Sequence, residues 1–155
     1  METNIYERLD KLGLAVPKAP VKGGVYSPCK AFGDGLIYVS GCGPSIAGND
    51  EKIAGRLGKE ISLEEGRKYA RQCMLNILAV LEREVGDLNK IKDCVKLTVF
   101  VASEEDFYDQ PQVANGASEL LVSLFGNNSA PTRSAIGLNV LPGNIPVEVE
   151  GIFCV

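Results

Sequence analysis

Two segments of the chain hold residues whose type and spacing could do chemistry. The first is Pro131-Thr132-Arg133-Ser134-Ala135-Ile136-Gly137. Arg133 opens an otherwise uncharged, strand-like run, where a buried charge is costly unless an anion meets it. Its planar fork suits a carboxylate through two parallel hydrogen bonds. That carboxylate belongs either to the protein or to a ligand. The second segment is Val147-Glu148-Val149-Glu150. Carboxylates two residues apart on a strand share one face, and that face is either a solvated edge or part of a site.

The rest of the chain narrows the chemistry by exclusion. Its 155 residues contain no histidine, so Ser/His and Cys/His arrangements are out. Any general acid or base is then Asp, Glu, Tyr, Cys, Lys or a water. The five cysteines (29, 42, 73, 94 and 154) form no C-x-x-C pair. A zinc site is not expected, and an odd count argues against a disulfide framework. Reduced, mostly buried thiols are expected instead. Gly41-Cys42-Gly43-Pro44-Ser45-Ile46 breaks the dinucleotide fingerprint at its third glycine, and there is no P-loop. Neither metal nor organic cofactor is expected.

The charge balance is acidic, −4 with a pI near 4.9. Nucleic-acid binders show the opposite surplus, because phosphate contacts supply most of their affinity. No nucleic-acid partner is expected. No apolar run reaches the roughly 18 residues of a membrane span, and the polar start Met1-Glu2-Thr3-Asn4 does not read as a signal peptide. The expected location is the cytoplasm.

Elements must position Arg133 and the glutamates. Ile5, Leu9 and Leu12 have the spacing of a short helix within an extension over residues 1–20. A strand is expected from Val25-Tyr26 to Phe32, a tight turn at Gly33-Asp34-Gly35, and a return strand over Leu36–Ser40. Gly41 to Gly58 reads as a long loop. Ser62-Leu63-Glu64-Glu65 is a capping box. Behind it, Ala70, Cys73, Met74, Ile77, Leu78 and Leu81 recur at helical spacing up to Gly86. Val95 to Val101 alternates as a strand does. A second helix is expected from Pro111 to Phe125, then strands near Arg133–Val140 and over Val147–Cys154. This β-β-α-β-α-β-β order predicts one two-layer α+β domain over residues 1–155, with two helices on one face of a mostly antiparallel sheet. Many outward positions are apolar, so further copies of the chain are expected to cover the other face.

Several phrases taken together resemble the Rid (reactive intermediate deaminase) family, also labelled endoribonuclease L-PSP. They are Tyr26-Ser27-Pro28, Tyr38-Val39-Ser40-Gly41, Val95-Lys96-Leu97-Thr98-Val99-Phe100-Val101, Asp106-Phe107, Pro131-Thr132-Arg133-Ser134-Ala135, Leu141-Pro142 and Val147-Glu148-Val149-Glu150. The helical lead-in, and Asn115-Gly116-Ala117-Ser118-Glu119-Leu120-Leu121 before Phe125-Gly126, are similar to the family's longer branch, which carries a chorismate mutase-like label.

The resemblance implies a chorismate mutase-like fold whose sheets close into a barrel in a homotrimer, with clefts between subunits. It implies hydrolysis of enamines and imines to 2-keto acids and ammonia. Arg133 would hold the substrate carboxylate and Glu148 would sit beside the attacking water. Gly41 would offer backbone contacts, and Tyr26 and Asn115 would line the cleft. One departure stands out: Ala135 replaces the archetype's cysteine, which makes that wall smaller and non-polarising. A sensor of a small carboxylate metabolite is the alternative, since sensing needs Arg133 but not Glu148. Endoribonuclease activity fits less well, given the absent histidine and the acidic balance. Chorismate mutase activity fits least, because its dianionic substrate wants several cations and only Arg133 is evident.

Overall fold

The elements follow the expected order in a computed structural model that describes residues 4–155. Residues 1–3 of the expected N-terminal extension lie outside the described residues. Helix α1 spans Ile5–Lys11; the Asn4 side chain caps it by accepting from the Tyr6 N–H. Its buried Ile5 and Leu9 pack toward the other helices rather than onto the sheet. The hairpin is β1 (Cys29–Phe32) and β2 (Leu36–Cys42), joined by Gly33-Asp34-Gly35. Gly33 and Gly35 have φ of 56° and 72°, the left-handed region that favours glycine.

The first strand is shorter than expected. Val25 to Pro28 lies outside β1, whose pairing with β2 starts at Cys29 opposite Val39. Pro28 has no N–H to give to the ladder. Helix α2 spans Leu63–Val85, opened by the reciprocal Ser62/Glu65 capping box and closed by Gly86 at φ 81°. Strand β3 (Asp93–Ala102), helix α3 (Gln110–Phe125), strand β4 (Thr132–Leu138) and strand β5 (Val147–Cys154) complete the fold. Strand β4 stops two residues before the expected Val140, because its partner β3 ends at Ala102, opposite Leu138.

The sheet order is β1-β2-β5-β3-β4. Every pairing is antiparallel except β3 with β4, which α3 connects as a crossover. Burial along β5 alternates without exception: Val147, Val149, Gly151 and Phe153 face the helices, whereas Glu148, Glu150, Ile152 and Cys154 face away. Helices α2 and α3 cover one face only, and one contiguous core fills the space beneath them. The other face carries Tyr38 and Ile136, which are 42% and 39% exposed. The three most buried thiols are Cys42, Cys73 and Cys94, and all five cysteines are free.

The two covering helices cross closely at Gly116 of α3. A Cβ built there would lie 2.0 Å from the backbone oxygen of Arg67 on α2. No rotamer change relieves a clash with backbone, so a side chain at 116 forces the helices apart. Overpacking of this kind costs about 1–3 kcal/mol, sometimes more. Gly116→Ala is therefore expected to lower the unfolding free energy measured by urea denaturation by that amount, despite alanine's better helix propensity. Unchanged or raised stability would mean that the helices can separate freely.

Candidate functional site

Arg133 and Glu148 lie on opposite faces of the sheet. In the parallel β3–β4 pairing Arg133 stands beside Leu97, whose side chain is fully buried under the helices. Paired residues share a face, so Arg133 points to the helical side. Glu148 is registered with Phe100 on the outward side. The two are also three rows and two strands apart, about 10 Å along the strands and about 10 Å across them.

On the helical side, Arg133 Nη1 donates to Asn115 Oδ1 at 2.7 Å and to Ser118 Oγ at 3.1 Å. Asn115 and Ser118 are three residues apart on α3, hence neighbours on one helix face. The guanidinium is half-buried, and among the described residues no carboxylate pairs with it. The ion pairs are elsewhere: Arg56 with Glu104 at 3.3 Å, Lys59 with Glu60 at 4.0 Å and Arg67 with Glu119 at 2.8 Å. Among the described residues Nε and Nη2 of Arg133 donate to no protein group. The fork is thus held at one nitrogen and presents its other edge. Ala135, opposite the buried Val99, shares this face and touches the core.

On the outward side, a β-bulge decides the geometry. Val39 pairs with Gly151 and Cys42 with Val149, so three residues of β2 advance against two of β5. The extra residue shifts the alternation. Cys42 turns into the core, and Gly41 meets Glu148. A Cβ at position 41 would lie 2.1 Å from Glu148 Oε1. Only glycine lets this carboxylate lie over the β2 backbone. Glu148 is half-buried, and its pKa is raised above the ordinary 4.5 by loss of water and, to a lesser degree, by repulsion from Glu150. Glu150 instead accepts from Tyr38 Oη at 3.1 Å. Nearby, burial first and Glu148 second push the Cys42 thiol up to about 12, so it is neutral at ordinary pH.

Tyr26 and Gly41 line one hollow of about 200 Å³, together with Pro20, Val21, Lys22, Pro28, Ser40, Cys42, Gly43, Ser45, Val80 and Ile145. Asn76 fixes its floor. This α2 side chain is 1% exposed, and its amide nitrogen donates to the carbonyls of Gly43 and Ser45 at 2.8 and 2.9 Å. A buried polar group tied twice is costly to loosen. The far part of the 41–58 loop is held elsewhere: Leu57 is buried and bridges Ile61 and Ser103 at the end of β3.

The six site residues expected from the sequence therefore fall into two groups. Arg133, Asn115 and Ala135 gather at the β4–α3 edge. Tyr26, Gly41 and Glu148 gather at the β2–β5 bulge. One copy of the chain does not bring the groups together. Sequence reasoning passed over Ser118 and Asn76. The signals were there: Ser118 is one helical turn from Asn115, and Asn76 interrupts the apolar stripe between Cys73 and Ile77.

Protein TCP17 of Trypanosoma cruzi is 37% identical to this chain over 149 residues, covering 93% of this chain and 89% of that protein. A 2-iminobutanoate/2-iminopropanoate deaminase of Dermatophagoides farinae is 30% identical over 143 residues, covering 92% and 94%. The crystal structure of a "putative endoribonuclease" from Shewanella oneidensis superposes with a TM-score of 0.92 at 27% identity, covering 99% of this chain and 100% of that one. That agreement extends over the whole described architecture, including the α+β layering expected from the sequence. Residues 6–150 match the family described as YjgF/chorismate mutase-like, putative endoribonuclease, and the chain belongs to that family.

Proposed function

We propose that the chain hydrolyses reactive 2-imino acids, and the enamines that tautomerise to them, to 2-keto acids and ammonia. The observation that carries this reading is the pair of incomplete half-sites. A half-buried arginine without a carboxylate partner stands on one face, and a glutamate with a raised pKa on the other. The reading has three copies closing their open sheet faces into a barrel, so that Arg133, Asn115 and Ala135 of one copy meet Tyr26, Gly41 and Glu148 of the next. The Dermatophagoides farinae relative, a 2-iminobutanoate/2-iminopropanoate deaminase, supports the same chemistry.

The chemistry asks little of the protein. The Arg133 fork takes the substrate carboxylate through its free edge. Charged Glu148 accepts a proton from a water as the water oxygen bonds to the imine carbon, and the C=N pair moves to nitrogen. Glu148 then returns the proton to that nitrogen. Glu148 next takes the proton of the new hydroxyl and hands it to the amine, so the C–N bond breaks as the carbonyl forms and ammonia leaves. Imines hydrolyse readily, so orientation and one placed water are sufficient.

Assembly is the first expectation. The protein should be a trimer by light scattering at micromolar concentration, and a monomer there would leave the two half-sites apart. Arg133 is the second. Truncating one member of a desolvated charge pair costs about 2–5 kcal/mol, roughly 30-fold to several-thousand-fold. Arg133→Ala should lose that much in kcat/KM on imines generated in situ by an amino-acid oxidase, and a similar factor in calorimetric binding of 2-oxobutanoate. Arg133→Lys should recover only part of it, because the fork is gone. Wild-type binding and turnover in a folded Arg133→Ala oligomer would make Arg133 a structural residue.

The third expectation concerns Glu148 and pH. Its raised pKa means that the folded protein holds the proton more tightly than the unfolded chain. Charged Glu148 therefore costs stability above the folded value, and that cost disappears as pH falls toward 4.5. Glu148→Gln should be at least as stable as the wild type at neutral pH. Turnover has the opposite sense, since it needs the charged form. The kcat should fall as pH drops through the pKa of Glu148 in the assembled site, and Glu148→Gln should abolish most turnover while keeping 2-oxobutanoate binding. Undiminished turnover in Glu148→Gln would remove Glu148 from the reaction, whereas 2-oxobutanoate binding at Arg133 with no imine turnover by the wild type would favour carboxylate sensing over hydrolysis.

A further inference from the structure

We infer that the hollow beside Gly41 receives the side chain of the substrate, and that it selects imino acids with branched aliphatic or aryl side chains over those with methyl or ethyl groups. This rests on the hydrolase reading for its reaction, but the hollow's size and lining stand apart from that chemistry.

Position comes first. Gly41 lines the hollow, and the Glu148 carboxylate lies over Gly41. Glu148 itself does not line the hollow; Gly41 is the residue that the carboxylate and the hollow share, and in the proposed arrangement the attacked carbon lies beside it. Lining comes second. Val80 of α2, 2% exposed, Ile145 and Pro28 form the apolar part of the wall; Lys22, Ser40 and Ser45 add polar groups, and Val21 stands at the rim. Ile145 is drawn in by Gly43, whose missing Cβ would lie 2.9 Å from Ile145 Cδ1. The cysteine in the wall is an uncharged thiol. The Asn76 hydrogen bonds pin the Gly43 and Ser45 carbonyls, so the hollow is formed before anything enters it.

Size decides the class of side chain. An apolar cavity of about 150 Å³ holds a benzene ring, and this hollow measures about 200 Å³. A methyl or ethyl group would leave most of it to water, whereas an isobutyl or benzyl group would fill it. Each methylene buried gains about 4-fold. The three carbons that separate methyl from isobutyl then gain about 60-fold at full burial. Lys22, Tyr26 and Ser40 line both this hollow and a wider outer depression of about 730 Å³. The hollow therefore opens past them, and the substrate has a way in.

The test uses the full-length protein. Imines are generated in situ from alanine, 2-aminobutyrate, leucine and phenylalanine. Pyruvate, 4-methyl-2-oxopentanoate and phenylpyruvate are titrated separately by calorimetry. Leucine- or phenylalanine-derived imine should exceed alanine-derived imine by about 10- to 60-fold in kcat/KM, and the keto acids should bind in the same order. Ile145→Phe, which fills the hollow, should narrow that ratio to a few-fold. Val21→Asp should do the same by placing a charge at the rim, and Val21 is 89% exposed, so this variant folds. If no imine is turned over but 4-methyl-2-oxopentanoate still binds well above pyruvate, the hydrolase reading fails and the hollow's assignment stands. A flat order, a preference for the alanine-derived imine, no keto-acid binding at all, or a ratio unmoved by Val21→Asp would overturn the assignment.

Discussion

The two-residue alternation of β5 is the constraint on which the rest of the molecule depends. This strand is paired on both sides, between β2 and β3, so its register sets theirs. A slip of one residue would send Val147, Val149 and Phe153 to the outer face and carry Glu148 and Glu150 under the helices. Both outcomes are costly: apolar surface returns to water, and charge enters a core with no partner for it. The core thereby holds the glutamates on the outer face. Their position needs no local interaction of their own.

The pairing of β5 is irregular twice, at Cys94–Lys96 of β3 and at the bulge in β2, and it is the β2 bulge that builds the site. The extra residue between Val39 and Cys42 turns Cys42 inward, leaving a glycine where β2 passes Glu148. Neighbouring pieces reinforce it. Asn76, a polar residue sunk in the apolar face of α2, finds its two acceptors in the chain that leaves the bulge. Ile145 packs into the space that Gly43 vacates. Two glycines and one buried amide thus convert the end of a strand into a pre-formed hollow, where an unbroken ladder would have left a flat sheet edge.

Arg133 occupies the opposite situation. It belongs to the edge strand, under α3 rather than on the open face, and is steadied by two neutral oxygens one helical turn apart. Neutral partners orient a guanidinium without cancelling its charge. An arginine so held keeps its attraction for an anion, and the half-buried setting strengthens that attraction relative to water. In the proposed trimer the two half-sites supply what neither has alone, a fixed cation and a carboxylate poised to take a proton.

Much of this was legible in the residues themselves. The capping box at Ser62, the helical stripe from Ala70 to Leu81 and the alternation of Val147–Cys154 follow from short-range periodicity, which any amphipathic element must obey in order to bury one face. They are sufficient for the α+β class and the element order. The family phrases singled out Tyr26, Gly41, Asn115, Arg133, Ala135 and Glu148 as a set. Other features rest on contacts between residues distant in the chain, which periodicity does not encode. Strand β1 begins at Cys29 rather than Val25, because ladder pairing and not propensity sets its start. β4 ends where β3 runs out. The parallel β3–β4 register puts Arg133 on the helical side, and the bulge brings Gly41 under Glu148; together they divide six candidate residues between two faces. A residue's type and spacing state what chemistry it can do. Which face of the sheet it occupies, and therefore which partner it can meet, was decided only when the strands paired.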